Sequence, residues 1–194
     1  MSNNKSNPVM NVRLASELDH AFERNGYSAE LVKKLLTGDL LSKLLPAVQG
    51  HADVVMKKHI IDLVADPFVP SGWKVEEHIK TEAQIEFDPT KIELYLSESQ
   101  KQGKLIKGHD LRKELEGKPV LIANVLDYLL AHPEIIPNSW KDKYIFFWGT
   151  IYRGSGGSLW VRCLGWGGGE WLWRYYWLGD DFSGASPTAL LASI

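Results

Sequence analysis

Seven of the eight tryptophans lie between Trp140 and Trp177, and this clustering constrains the fold more than any other feature of the chain. Residues 144–152, 159–166 and 171–178 are rich in aromatic side chains, and glycine-rich runs separate the last two segments from what precedes them. Aromatic and β-branched residues favour strands, and glycine punctuation at this spacing favours hairpins. The stretch therefore predicts a three-stranded antiparallel β-meander.

The composition is that of a globular protein that needs no metal or disulfide to fold. The chain has 194 residues, of which 44% are hydrophobic and 24% charged, and its net charge of −2 gives no general argument for binding nucleic acid or an anionic membrane. Cys163 is the only cysteine, which fits a reducing compartment. The first residues are polar and the apolar runs are far short of the roughly 20 residues that span a bilayer. We expect a cytoplasmic protein with no membrane segment.

Residues 1–65 have the pattern of several short helices. Leu14, Leu18 and Phe22 form one apolar stripe, and Ser28 and Asp39 stand where helix N-caps are expected. A fourth helix is predicted over residues 52–64, with Val55, Ile60, Leu63 and Val64 on its buried face. The run Asp-Pro-Phe-Val-Pro-Ser-Gly at 66–72 is rich in turn residues, and it predicts a boundary between a helical region, 1–65, and a second domain, 66–194.

The second domain has a mixed pattern of strands and helices. Residues 73–80 and 91–97 are predicted strands, and 111–115 and 119–131 are predicted helices. Residues 98–104 are predicted to form a loop or a solvated hairpin, while 183–194 is too weakly patterned to predict an element. The predicted fold class is α+β, with an N-terminal cap of short helices followed by a mixed core that ends in the β-meander.

The third strand of the meander carries large apolar side chains on both faces. Trp171, Trp173, Tyr175 and Trp177 point to one side, whereas Arg174 and its even-numbered neighbours point to the other. We expect Trp171 and Trp173 to be core residues, and Arg162 and Arg174 to be exposed. An exposed aromatic surface with arginines would instead bind a partner. The candidate binding residues are Trp160, Arg162, Trp171, Trp173, Arg174 and Tyr176.

No function is established by these patterns, and non-catalytic binding of another macromolecule is preferred. The partner is expected to be an unknown protein or a second copy of the chain, with single-stranded nucleic acid or a glycan as alternatives on the same surface. The six histidines and Cys163 are scattered, so no catalytic residue, metal site or cofactor is predicted, and Cys163 is interpreted as a structural residue. The rival class is an enzyme that uses an isolated polar pocket.

Four runs together resemble an uncharacterised family of small bacterial hypothetical proteins. These runs occupy residues 66–73 (DPFVPSGW), 92–97 (IELYLS), 108–115 (GHDLRKEL) and 147–153 (FWGTIYR). The resemblance covers about residues 66–178 and leaves out the helical N-terminal part. It implies a bacterial, cytoplasmic protein and transfers no activity.

Overall fold

A computed structural model describes residues 10–55, 57–79 and 84–192. The chain divides into two compact units, Met1–Lys57 and Lys58–Ile194. The division lies eight residues before the predicted boundary between residues 65 and 66, and that domain boundary stays a prediction.

The described part of the first unit contains three short helices, which are α1 (Val12–Arg24), α2 (Ala29–Leu36) and α3 (Leu40–Val48). Ser28 caps α2 as predicted, because its hydroxyl accepts a hydrogen bond from the Leu31 amide at 3.3 Å. Asp39 stands at the start of α3 but makes no capping bond, and its carboxylate pairs with Lys43 instead. None of the three helices contains a buried residue.

The predicted fourth helix over residues 52–64 is wrong. Residues 52–55 and 57–59 have no regular structure, and Ile60–Asp62 forms strand β1, which pairs with β3 (Gln84–Glu86). Of its predicted apolar face, Leu63 is buried, whereas Val55, Ile60 and Val64 are exposed. The apolar residues of this segment are spaced as in a helix, but part of the segment forms a strand. Pairing with a strand distant in sequence overrides the local helical periodicity.

The second unit is built on a six-stranded sheet, and the predicted β-meander forms one end of it. Strands β6 (Ile145–Arg153), β7 (Leu159–Gly167) and β8 (Glu170–Trp177) follow one another as antiparallel neighbours. Two strands pair with the other edge of β6: β10 (Thr188–Leu191), which is parallel to it, and β2 (Lys74–His78), which is antiparallel. Strand β4 (Ile92–Tyr95) pairs in turn with β10. The unit is thus α+β, as predicted.

Short elements complete the second unit. They are α4 (Glu98–Lys101), β5 (Ile106–Lys107), α5 (Gly108–Glu114), α6 (Ala123–Ala131) and β9 (Asp181–Phe182), the last of which pairs with β5. Helix α6 begins later than the predicted residue 119, because residues before it run along β10: the Leu121 amide donates to the Ala189 carbonyl at 2.9 Å. Helix α4 lies in the segment predicted as a loop or solvated hairpin, and β10 lies in the tail where no element was predicted.

The sheet has a hydrophobic core on each face. Core 1 packs α6 against the face that carries Phe147 and Leu164, and core 2 packs α5 against the face that carries Phe146 and Cys163. Both faces of β6 and of the middle of β7 are therefore covered, while β8 lies at the end of the sheet. Strand β8 therefore has one edge that no other described strand covers.

Candidate interaction surface

The register of β7 and β8 decides which side chains share a face. Trp160 lies opposite Trp177, and Leu164 lies opposite Trp173, so the even-numbered residues of β7 share a face with the odd-numbered residues of β8. At one end of this face, Trp171 and Trp173 are half-buried and pack against core 1. The expected core role of these two tryptophans agrees with this packing.

The other end of the same face carries aromatic rings open to solvent. The rings of Trp73, Trp160 and Tyr175 contact one another, with centroids 5.6 Å apart for Trp73 and Trp160, 5.1 Å for Trp73 and Tyr175, and 5.3 Å for Trp160 and Tyr175. Tyr175 is 50% exposed and Trp177 is 42% exposed. We call these four residues, Trp73, Trp160, Tyr175 and Trp177, the aromatic surface. Exposed clusters of large aromatic side chains are typical of protein contact sites.

Arg162 is not part of any exposed surface, and the expectation that it would be exposed is wrong. Its side chain is 1% exposed, and Nη2 lies 2.6 Å from Asp127 Oδ1 on α6. The guanidinium is also enclosed by the rings of Phe68 and Trp173, with centroids 5.0 and 4.9 Å away. Because a buried charge requires a partner, Arg162 belongs to the packing between sheet and helix.

Arg162 and α6 together hold the loop at residues 66–72. The Phe68 amide donates to Asp127 Oδ2 at 3.2 Å, and the Phe68 carbonyl accepts from the Tyr152 hydroxyl at 3.0 Å. Just before the loop, Asn124 Nδ2 donates to the Ala65 carbonyl at 2.6 Å. The loop thus places Trp73, which follows it directly, against Trp160.

The remaining two candidates lie on the opposite face of β8. Arg174 is exposed, as expected, and its guanidinium lies over Gly167. Tyr176 is half-buried against Phe146 and Phe182, with ring centroids 5.2 and 5.9 Å away. The six predicted residues therefore do not form one surface, since Trp160, Arg162, Trp171 and Trp173 are on one face and Arg174 and Tyr176 on the other.

The sequence patterns missed the part that Trp73 plays in the aromatic surface. Trp73 is far along the chain from β7 and β8, and its only local signal is its position as the first residue of a predicted strand. Tyr175 and Trp177 were assigned to the correct face but were not among the candidate residues.

Two of the three arginines near the meander are neutralised by carboxylates. Arg153 makes two bonds to Glu76, at 2.6 and 2.7 Å, and the hydrogen bond from Arg153 lowers the pKa of the Glu76 carboxyl. Arg162 pairs with Asp127. Only Arg174, on the opposite face, has no carboxylate partner among the residues that the structure describes.

Cys163 lies inside core 2 and is 0% exposed. Burial raises the pKa of its thiol to about 12. A cysteine that reacts as a nucleophile needs an accessible thiolate, so the environment of Cys163 is that of a structural residue.

A polar cleft of about 760 Å³ lies between β2 and α5, and it is where an enzymatic site would be sought. Its lining includes Glu77, His78, His109, Arg112 and Glu116. Within the cleft, Glu77 and Arg112 form an ion pair with each other.

One histidine of this cleft contacts a hydroxyl. His78 Nδ1 lies 2.9 Å from Thr150 Oγ1, which also accepts a hydrogen bond from the Ala123 amide at 3.0 Å. Thr150 is 0% exposed, so its hydroxyl cannot reach a substrate as a nucleophile. The pair instead joins β2, β6 and the start of α6.

Among residues 10–55, 57–79 and 84–192, no group of three or more His, Cys, Asp or Glu side chains is placed to hold a metal ion. In the same residues, no helix has the length and apolar character to cross a bilayer. Comparisons with protein-family models, with curated proteins and with solved structures find no match to this chain.

Proposed function

We propose that the protein is a non-catalytic binding module that contacts another protein through the aromatic surface and the adjacent open edge of β8. The observation that carries the proposal is the mutual contact of Trp73, Trp160 and Tyr175 at the solvent-exposed end of the sheet. Aromatic residues with few rotatable bonds supply large contact areas at low entropic cost, which suits them to protein interfaces. In keeping with the resemblance and the single cysteine, the module is proposed to act in a bacterial cytoplasm.

The charges beside the aromatic surface favour a protein over a nucleic acid. Single-stranded nucleic acid requires cations free to contact phosphates, in addition to rings that stack on bases. Arg162, the arginine of this face, is buried against Asp127. Arg153, at the end of β6 on the other face, is bound to Glu76, so neither arginine is free to contact a phosphate backbone.

The edge of β8 supplies a second element of the contact. Within the described residues β8 pairs only with β7, and the backbone of Trp171–Tyr176 makes no hydrogen bond outside that pairing. An exposed strand edge is a template for an added strand from a partner. Ring contacts and main-chain hydrogen bonds would then act together.

The test is photo-crosslinking in the cells that express the chain. A photoreactive amino acid replaces Tyr175, and in a control it replaces the exposed Lys104, which is distant from β8 in the sequence. We expect a discrete protein adduct from position 175 that is absent from position 104 and is lost when Trp160→Ala is added. A nucleic-acid adduct, equal labelling at both positions, or no adduct would overturn the proposal.

A titration separates the alternative ligands. Tryptophan fluorescence is recorded while an oligothymidylate or a cello-oligosaccharide is added, and we expect no saturable change. A saturable change that Trp160→Ala abolishes would replace the protein by the corresponding ligand class.

A further inference from the structure

Strand β8 is an unguarded edge strand. Natural sheets commonly protect such an edge with proline, a bulge, or charges placed along the strand. The eight residues of β8 contain no proline, pair with β7 without a register shift, and carry only two charges, Glu170 and Arg174. The strand is therefore suited to pairing with another strand.

Glu170 and Arg174 are both unpaired within the described part of the chain. Neither takes part in an ion pair, and both are exposed on the same face of the strand. Four residues of strand, about 13 Å, separate their Cα atoms, and the two side chains form no ion pair with each other within the described residues. A partner strand could bring an opposite charge to each of them.

We propose that this partner is a second copy of the chain, which pairs β8 with β8 in antiparallel orientation. The proposal deepens the proposed function and rests on it, because it names the protein that binds at this edge. A two-fold axis perpendicular to the sheet places each side chain opposite one from the same face. Even-numbered residues must therefore oppose even-numbered residues.

One register of this pairing satisfies both charges. When Leu172 lies opposite Leu172 of the second copy, Glu170 of each copy lies opposite Arg174 of the other copy. The same register places Trp171 opposite Trp173 on the other face. Cross-strand pairs of opposite charge and of aromatic rings are the pairs that stabilise antiparallel strands.

Other registers with the same symmetry lose this complementarity. A shift that centres the axis on Arg174 brings two arginines directly opposite each other, and one centred on Glu170 brings two glutamates together. A centre on Trp173 places Arg174 opposite Leu172, and a centre on Trp171 places Glu170 opposite Leu172. Charge complementarity thus selects the axis at Leu172.

The test uses two charge reversals in the full chain, Glu170→Lys and Arg174→Glu. Each variant alone places like charges opposite each other twice in the dimer, and we expect its dimer dissociation constant to rise about tenfold or more. An equimolar mixture of the two variants restores both opposite-charge contacts, so the mixture should dimerise as the wild type does. The double variant Glu170→Lys/Arg174→Glu should also recover. The association is measured by analytical ultracentrifugation.

The control is Lys113→Glu, an exposed charge reversal on α5, which should leave the dimer unchanged. A wild-type chain that stays monomeric up to about 100 μM, well above the Kd of a weak specific complex, would overturn the proposal. So would single variants that dimerise normally, or a mixture that stays monomeric. If self-pairing fails while position 175 still crosslinks to a different protein, the proposed function stands without it.

Discussion

Arg162 Nη2 lies 2.6 Å from Asp127 Oδ1, and this ion pair joins the middle strand of the meander to α6. Asp127 also accepts the Phe68 amide through its second carboxylate oxygen, so one side chain holds both the sheet and the loop at residues 66–72. Removing one member of a buried pair leaves the other charge without compensation.

The first prediction concerns this pair. Asp127→Ala should lower the free energy of unfolding by about 3–5 kcal/mol, because it leaves the Arg162 guanidinium buried and unpaired. The measurement is urea unfolding followed by tryptophan fluorescence. Asp110→Ala is the matched control, since Asp110 pairs with the exposed Lys113, and it should cost less than about 1 kcal/mol. Equal losses in the two variants would show that the Arg162 pair is not a structural element.

The elements that could be predicted from the sequence are those whose signal is local. The meander, β2 and β4 follow from aromatic or alternating runs bounded by turns, and they are where the patterns indicate. Strand β10 could not be predicted, because its four residues owe their conformation to neighbours β4 and β6. Likewise, the start of α6 was misplaced because Leu121 bonds to Ala189 along β10, a contact with no local signal.

The candidate site was less predictable than the fold for a related reason. Alternation along β7 and β8 assigns side chains to faces, and it does so correctly for Trp171, Trp173 and Arg174. It does not show what covers each face. The burial of Arg162 depends on Asp127, which is distant in sequence, and the aromatic surface depends on Trp73, which is further still.

The second prediction concerns Cys163. Because burial raises the pKa of its thiol to about 12, the native protein should react with a bulky thiol reagent only as fast as it unfolds. Cys163→Ser should cost about 1–2 kcal/mol, since a hydroxyl is less favourably buried than a thiol. Stoichiometric labelling of the folded protein at neutral pH would contradict both expectations.

The third prediction is a loss of stability at alkaline pH. Burial, followed by the hydrogen bond from its hydroxyl to Glu114 Oε1 at 2.5 Å, raises the pKa of Tyr95 to about 12 from its usual 10.0. Above pH 10 the unfolded chain loses this proton while the folded chain keeps it. The contribution of Tyr95 to the free energy of unfolding should therefore be constant below pH 10 and should be lost as the pH rises toward 12.

Two variants isolate this contribution. Tyr95→Phe should show a shallower decline of stability between pH 10 and 12, measured by urea unfolding at several pH values. Glu114→Gln removes the negative charge and should lower the pKa of Tyr95 in the folded protein, measured from the absorbance of the tyrosinate. An unchanged decline in Tyr95→Phe would assign the alkaline loss to other groups.

The fourth prediction concerns the close approach of backbone at Gly149. A Cβ atom at this position would lie 2.7 Å from Ile122 Cγ2 and 3.0 Å from the Leu121 carbonyl oxygen, both at buried residues. Gly149→Ala should therefore cost about 1–3 kcal/mol by overpacking. Gly156→Ala is the control, because no atom lies within 4 Å of a Cβ there, and its melting temperature should match that of the wild type. If Gly149→Ala leaves the melting temperature unchanged, then Leu121 and Ile122 move aside at little cost, and the prediction is wrong.

The last prediction separates the core part of the β8 face from its binding part. Trp173 packs against core 1 and lies 4.9 Å from the Arg162 guanidinium, so Trp173→Ala should cost about 3 kcal/mol or more and lower the melting temperature clearly. Tyr175 is 50% exposed, so Tyr175→Ala should cost less than about 1 kcal/mol while weakening association with the partner. Thermal melts and sedimentation of the same two variants provide the comparison. If Tyr175→Ala melts as early as Trp173→Ala, the aromatic surface is structural, and the binding role proposed for it fails.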